Sequence, residues 1–380
     1  MLSSEFYKYT ASEEFQELLK SYEKSREEGA PNYLEAEDLV DIAEYYHINN
    51  DLAKSEDAAT YCLQVFPDCN AASLFLSRME LMDYGDIKRA KMYFDAVKDK
   101  VDTIDSVEAL YIEAEIMICE GEKLKANTKL YDHYAAKRRS YAHLFNEKGE
   151  LVDTRNNLLE RADSDEEEDQ LAMFLNFPLD VAMLFCDHEE YELSEIWLGS
   201  AKYMQGTFEY EETWARIYSY TSRFPQAVTA WNKVLDIDAF NVNSWMGLWN
   251  VQFNSNLYED SLQSVEYALA IQPDMTEAQA AKANSLYKLQ RYQETIDALA
   301  ELHKTVKDDP LSELLFALSY MHLNKLTEAE AHAENVMKLV ETLSFEDKLQ
   351  VLKFASDYMS EFNSLYQRLN PDDDQPTPLE

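Results

Sequence analysis

Residues 257–274 read LYEDSLQSVEYALAIQPD, and residues 223–240, one interval of 34 earlier, read RFPQAVTAWNKVLDIDAF. The two agree in pattern more than in letters, so the interval is tested by stepping along the chain. Phe224, Tyr258, Tyr292 and Leu326 stand 34 apart, and so do the small residues Ala227, Ser261, Thr295 and Ala329. A bulkier column follows at Trp231, Val265, Leu299 and Ala333, then another at Val234, Ala268, Leu302 and Val336. Stepping back 33 residues gives Tyr191, Ser194, Leu198 and Ala201, while Leu52, Ser55, Ala59 and Cys62 recur 35 residues later as Ile87, Ala90, Phe94 and Val97. Each unit holds two amphipathic segments of about a dozen residues, as in NSWMGLWNVQFN and YEDSLQSVEYALAI, split by a short polar turn such as Ser255-Asn256. The spacing predicts helical hairpins. A small residue early in the second segment marks a close helix crossing, because a larger side chain would hold the two backbones apart. One hairpin cannot cover its own apolar faces, so the expected architecture is all-α: a superhelical solenoid of stacked helical hairpins.

Composition agrees with helices. Only 7 glycines and 9 prolines occur, against 25 tyrosines and 17 phenylalanines. Pro31, Pro67, Pro273 and Pro310 fall between periodic segments, and Pro225 opens one, where a missing N–H costs nothing. The formal charge of -39 repels phosphate backbones and anionic lipid surfaces, so neither nucleic acid nor membrane is an expected partner. MLSSEFYKYT lacks a basic region followed by an apolar core, and runs such as VAMLFC at 181–186 are too short to cross a bilayer, which predicts a cytoplasmic protein. Cys62, Cys69, Cys119 and Cys186 lack C-x-x-C spacing and lie mostly in apolar helical patterns, as thiols of a reducing compartment do.

Spacing and residue types together resemble the tetratricopeptide repeat family. The match is fullest at 242–275, where Trp245, Leu248, Tyr258, Ser261, Ala268 and Pro273 occupy signature places. Units at 208–241 and 276–309 match through Trp214, Ala215, Tyr218, Phe224 and Ala227 and through Ala283, Tyr292 and Ile296, departing at Trp249, Lys282 and Ala239. Weaker units lie at 36–69, 71–104, 175–207 and 310–343. The resemblance implies a repeat array whose function sits in the groove residues.

The organisation expected is an N-terminal solvating helix at 1–30, N-terminal helical repeats at 31–142, an irregular acidic connector at 143–170, a C-terminal array at 171–343, a capping helix at 344–370 with Ser344 as N-cap, and a disordered tail at 371–380. Residues 106–134 read as a helical pair without the small-residue signature. NEKG at 146–149 reads as a tight turn. Ser164 and Glu167 read as a capping box at the head of an acidic first turn. The cluster Cys186-Asp187-His188-Glu189-Glu190 sits at an inter-helix turn with no second His or Cys spaced to complete a zinc site, so no metal is assigned. G-x-G-x-x-G, the P-loop, H-E-x-x-H, G-x-S-x-G and S-x-x-K contexts are missing from the sequence, which assigns no catalytic residue and no cofactor. Trp231 and Trp245 fall on packing columns; Trp249 and Phe253 stay open between packing and ligand contact.

In the family resembled, the groove is lined by the inward face of each first helix. Projected here, that face carries Glu209, Glu212, Arg216 and Tyr220, then Asn243, Met246, Asn250 and Asn254, then Glu277, Ala280, Asn284 and Lys288 with Tyr287 beside it. The amides of Asn250 and Asn284 offer donors and acceptors to an extended peptide backbone. Glu212 and Ala280 stand where chaperone-binding relatives carry lysines, so a carboxylate clamp is not expected. In the last unit the face becomes Leu311, Leu314, Leu318 and His322, open between coverage by the C-terminal helix and a hydrophobic docking patch. The function expected is a non-enzymatic adaptor for a protein or peptide, with a basic one favoured by charge. An envelope-associated glycan-binding or enzyme-accessory repeat protein and a self-assembling structural module are the alternatives, and the oligomeric state is unassigned.

Overall fold

The computed structural model describes residues 9–28, 34–100, 105–307 and 309–344, together with 348, 351, 358 and 361. It divides into two compact units, Met1–Tyr203 and Met204–Glu380. The first holds α1 (Glu13–Glu28), α2 (Ala36–Ile48), α3 (Leu52–Val65), α4 (Asn70–Met82), α5 (Ile87–Val97), α6 (Asp105–Cys119), α7 (Lys123–Ser140), α8 (Arg155–Leu159), α9 (Asp165–Asp187) and α10 (Tyr191–Ser200). The second holds α11 (Phe208–Tyr220), α12 (Phe224–Ile237), α13 (Val242–Asn254), α14 (Tyr258–Ile271), α15 (Thr276–Lys288), α16 (Tyr292–Leu302), α17 (Pro310–His322) and α18 (Leu326–Thr342). Among the described residues the only β feature is an isolated bridge between Phe145 and Leu151. Consecutive helices pair as antiparallel hairpins, and within each unit each second helix packs on the first helix of the next hairpin, as α12 does on α13 and α14 on α15.

The columns read from the sequence are the core. Ser55, Ala90, Ser194, Ala227, Ser261, Thr295 and Ala329 are fully buried. The next two columns, from Ala59 and Cys62 through Trp231 and Val234 to Ala333 and Val336, are buried as well. Where the small residue is a serine, its hydroxyl bonds within the crossing: Ser55 and Ser194 donate to the carbonyls of Ala43 and Ala182 on the partner helix, at 2.8 and 2.6 Å. Such a bond satisfies a buried hydroxyl that would otherwise be a cost. Ser261 instead donates to Tyr258 O at 2.9 Å and lies 3.0 Å from the Ser285 hydroxyl, which accepts from Trp249 Nε1 at 3.0 Å. Trp249 is thereby a packing residue that ties α13 to α15, and Phe253 leans on its ring at 5.5 Å. Gly247 lies so close to Trp231 that a Cβ there would stand 2.4 Å from the indole ring.

The register also continues where the sequence reading broke it off. α6 and α7 form a hairpin with Ala126 fully buried at the crossing and Leu130 fully buried after it, so 106–134 does carry the small-residue signature. The interval from Ala90 is 36 rather than 34 and the next column is occupied by His133, and these two departures hid the match.

Every hairpin turn uses one backbone device. Asn50, Glu189, Ser222, Asn256, Gln290 and Asn324 adopt φ between 57 and 61°, with Gly85 and Gly121 at the same place in their own turns. Each stands two residues before a second helix. The following N–H reaches back to close the first helix, as in Arg223 N to Tyr218 O (2.8 Å), Leu257 N to Gln252 O (2.9 Å) and Arg291 N to Leu286 O (3.0 Å). This is the Schellman closure, which satisfies carbonyls that a helix end leaves without partners.

Between α7 and α9, the Asn146 side chain accepts from the N–H groups of Lys148 and Glu150, and Gly149 takes φ 78°, so NEKG is a tight turn. Ser164 caps α9 by accepting from Glu167 N at 3.2 Å; Glu167 reaches back to the N–H of Asp163, one residue before the cap. α9 has the length and apolarity to cross a membrane, but 61% of its apolar window is buried within the protein, as in a core helix. The expected capping helix at 344–370 lies largely outside the described residues, and the tail at 371–380 wholly so.

Candidate functional site

The first-helix face of the second unit divides into an open part and a covered part. On α11, Tyr220 is 62% exposed and Arg216 half-buried. On α13, Asn243, Asn250 and Asn254 are exposed, while Met246 is half-buried against the apolar cluster around Leu262 and Val265. Asn254 Nδ2 donates to Asn250 Oδ1 at 2.8 Å. Each asparagine thus spends only one side of its amide on the other, leaving the NH₂ of Asn250 and the carbonyl of Asn254 directed to solvent. They sit four residues apart because one helical turn brings i and i+4 together.

On α15 the same projection leads under other chain. Asn284 is only 5% exposed: its Nδ2 donates to Ala280 O at 3.2 Å, and its Oδ1 accepts from the Tyr358 hydroxyl at 3.1 Å. The expectation that Asn284 offers its amide beside Asn250 is therefore corrected. Tyr287 is buried too, its hydroxyl donating to Glu361 and lying 3.4 Å from His322 Nε2. Burial, and then the hydrogen bond to Glu361, push the Tyr287 phenol well above its ordinary range. Burial acts to raise Glu361, but hydrogen bonds with Tyr287 and His322 outweigh it and hold the carboxyl below its ordinary range. Lys288 Nζ stands 4.2 Å over the Tyr358 ring, within the range of a cation–π contact. Leu314 and Leu318 of α17 are buried in the cluster that includes Tyr358, so of the two openings for that face, coverage by C-terminal residues is what the structure has.

Nothing local in the sequence pointed to Tyr358 or Glu361, which lie 74 residues from Asn284 and Tyr287. Elsewhere, His188 is half-buried with its pKa lowered by burial, Glu189 occupies a left-handed turn and Glu190 pairs with Lys123 at 2.6 Å. Among the described residues no group of three His, Cys, Asp or Glu side chains is placed to hold a metal ion.

Hairpins in a 33- to 36-residue register with a buried small residue at each crossing define the tetratricopeptide-type helical repeat fold, and the chain has it. No protein-family model and no curated protein matches the chain. Among solved structures it is similar to MamA 41-end from Desulfovibrio magneticus RS-1 (14% identity, TM-score 0.43, 48% of this chain and 99% of that one). It is also similar to YrrB, a TPR protein with an unusual peptide-binding site (13%, TM-score 0.41, 49% and 92%), and to PilW, a type IV pilus biogenesis factor (18%, TM-score 0.39, 53% and 95%). These likenesses are loose, and the fold assignment rests on the repeat geometry of the chain itself.

Proposed function

We propose that the protein is a non-catalytic scaffold that holds a protein or peptide segment, basic by preference, across the exposed amides of α13 and the adjoining end of α11, in a reducing cytoplasmic compartment. The observation that carries this reading is the Asn250–Asn254 pair, whose remaining donor and acceptor face solvent beside the exposed Tyr220-bearing helix. An extended backbone presents a carbonyl and an N–H in alternation, which such a pair engages without demanding a sequence. The chain's charge of -39 favours encounter with a basic segment. The non-catalytic part draws support from the structural use made of its buried titratable clusters. Glu313 on α17, for example, accepts from His332 Nδ1 (2.7 Å) and Asn335 (3.2 Å) of α18 and so joins the two helices.

A panel of lysine- and arginine-rich peptides, titrated against wild type and the Asn250→Ala, Asn254→Ala double variant at low and high salt, tests the proposal. The double variant is expected to lose about two- to tenfold per lost hydrogen bond. Added salt should slow association more than it speeds release. Equal affinities for wild type and variant would place any binding elsewhere, and concentration-dependent self-association with no peptide binding would favour the structural module.

A further inference from the structure

The third packing column, seven residues after the small residue, is closed by buried apolar side chains at Cys62, Val97, Ala201, Val234, Ala268, Leu302 and Val336. In α7 that place belongs to His133, which is half-buried. Beside it lies a cavity of about 120 Å³ between α7 and α9. An engineered cavity of about 150 Å³ admits benzene, so the space suits a single six-membered ring. Its walls are aromatic and nearly parallel: Tyr134 lies 5.7 Å from Phe174 at 18° and 5.9 Å from Phe177 at 1°, Tyr141 lies 4.5 Å from Phe174 at 20°, and the His133 ring lies 5.3 Å from Phe177 at 26°.

The rim has a different chemistry. His133, Lys137 and Tyr141 follow one another at four-residue spacing, so one face of α7, with the residue that caps it, brings an imidazole, an ammonium and a phenol to the cavity. The side chains of the three make no hydrogen bond or ion pair with another described residue. Other lysines of the same helix are spent, Lys123 on Glu190, Lys125 on Glu122 and Lys129 on Glu113. Burial, and then the nearby Lys137 charge, hold the His133 imidazole below its ordinary range, which leaves it neutral beside the ring stack at neutral pH. Lys137 is thus the one lysine of α7 without a carboxylate partner among the described residues, and it stands at the mouth of the aromatic slot.

We infer that this slot binds one aromatic ring bearing a carboxylate, the ring laid in the cavity against the Tyr134, Phe174 and Phe177 stack and the carboxylate at Lys137 and Tyr141. Stacking supplies contact area to any flat ring, and the unpaired ammonium selects the anion among rings of one size. The same chemistry is offered by a free aryl carboxylate and by the C-terminal phenylalanine of a peptide. This site lies wholly in the first unit and stands or falls separately from the amide face of α13.

Calorimetric titration of the full chain with phenylacetate, its neutral counterpart 2-phenylethanol, the tripeptide Gly-Gly-Phe and that tripeptide's amide tests the assignment. The acid should bind at least about tenfold more tightly than the alcohol. Lys137→Gln should erase that difference while leaving the alcohol unchanged, and His133→Trp, whose larger ring intrudes on the cavity, should abolish binding of both with the helical fold retained by circular dichroism. Gly-Gly-Phe binding more tightly than phenylacetate, with its amide weak, assigns the site to a chain terminus; phenylacetate binding more tightly assigns it to a free aryl carboxylate. Equal affinity for acid and alcohol, an unaltered acid affinity in Lys137→Gln, or no saturable binding of any probe overturns the proposal.

Discussion

The hairpins α6–α7 and α13–α14 share a frame and differ at one place. Both turn through a left-handed residue, Gly121 and Asn256, both cross at a fully buried small residue, Ala126 and Ser261, and both follow it with a buried aliphatic, Leu130 and Val265. Three residues on, α14 has the fully buried Ala268 and α7 has His133 beside a cavity. The turn and the crossing suffice to set a hairpin, and the column beyond them is where a repeat can trade packing for a site.

The sharpest way to break that comparison is to exchange the differing residue. Ala268→His would force an imidazole into a filled column and bury its nitrogens without partners, at an expected cost of at least about 3 kcal/mol, whereas His133→Ala should cost less than about 1 kcal/mol. Chemical denaturation of the two variants compares them, and equal losses would show that the column tolerates nothing anywhere. Overpacking the shared crossing comes next: Ser261→Leu and Ala126→Leu should each destabilise by roughly 1–3 kcal/mol. A melting temperature unchanged in either variant would contradict the common register. Next, acid should loosen the cover on α15. The Glu361 carboxyl is held below its ordinary range, so its contribution to the folded contact is present above about pH 4.3 and lost as pH falls through the lower folded value. Deuterium uptake by the α15 segment that holds Asn284, Tyr287 and Lys288, followed from pH 7 to about pH 3 and corrected for the intrinsic pH dependence of amide exchange, reads the release, and unchanged protection would exclude it. The smallest effect belongs to the turns: Ser222→Gly removes the left-handed strain at φ 57° and should gain no more than about 1 kcal/mol, because glycine also loses more freedom on folding. Asn256→Gly, from a residue that tolerates that conformation better, should gain less.

The fold was legible because its cause is periodic: small residues at Ser55, Ser194, Ser261 and Thr295 must recur wherever helices cross closely. The turns were less so, since Glu189, Ser222 and Gln290 adopt a conformation that sequence reading associates with glycine or asparagine. On the candidate groove, Asn250 and Asn254 were found as exposed polar residues because a solvent face is also periodic. Asn284 and Tyr287 were misjudged for the opposite reason. Their burial depends on Tyr358 and Glu361, and a contact across 74 residues leaves no local period. The α7 slot was invisible in turn because its walls come from two helices separated by an irregular segment.

The seat of Tyr358 and Glu361 on Asn284, Tyr287 and Lys288 would set the protein in competition with any segment that docked on α15. A tethered occupant is present at an effective concentration set by its linker, of millimolar order for a short flexible one, regardless of how dilute the protein is. Such a segment would have to displace it, and its apparent Kd would rise by the reciprocal of the fraction of molecules with the seat open. Affinity for that stretch would then depend on how much C-terminal chain is attached, and a shortened chain would report a tighter grip with no change in any residue of the groove.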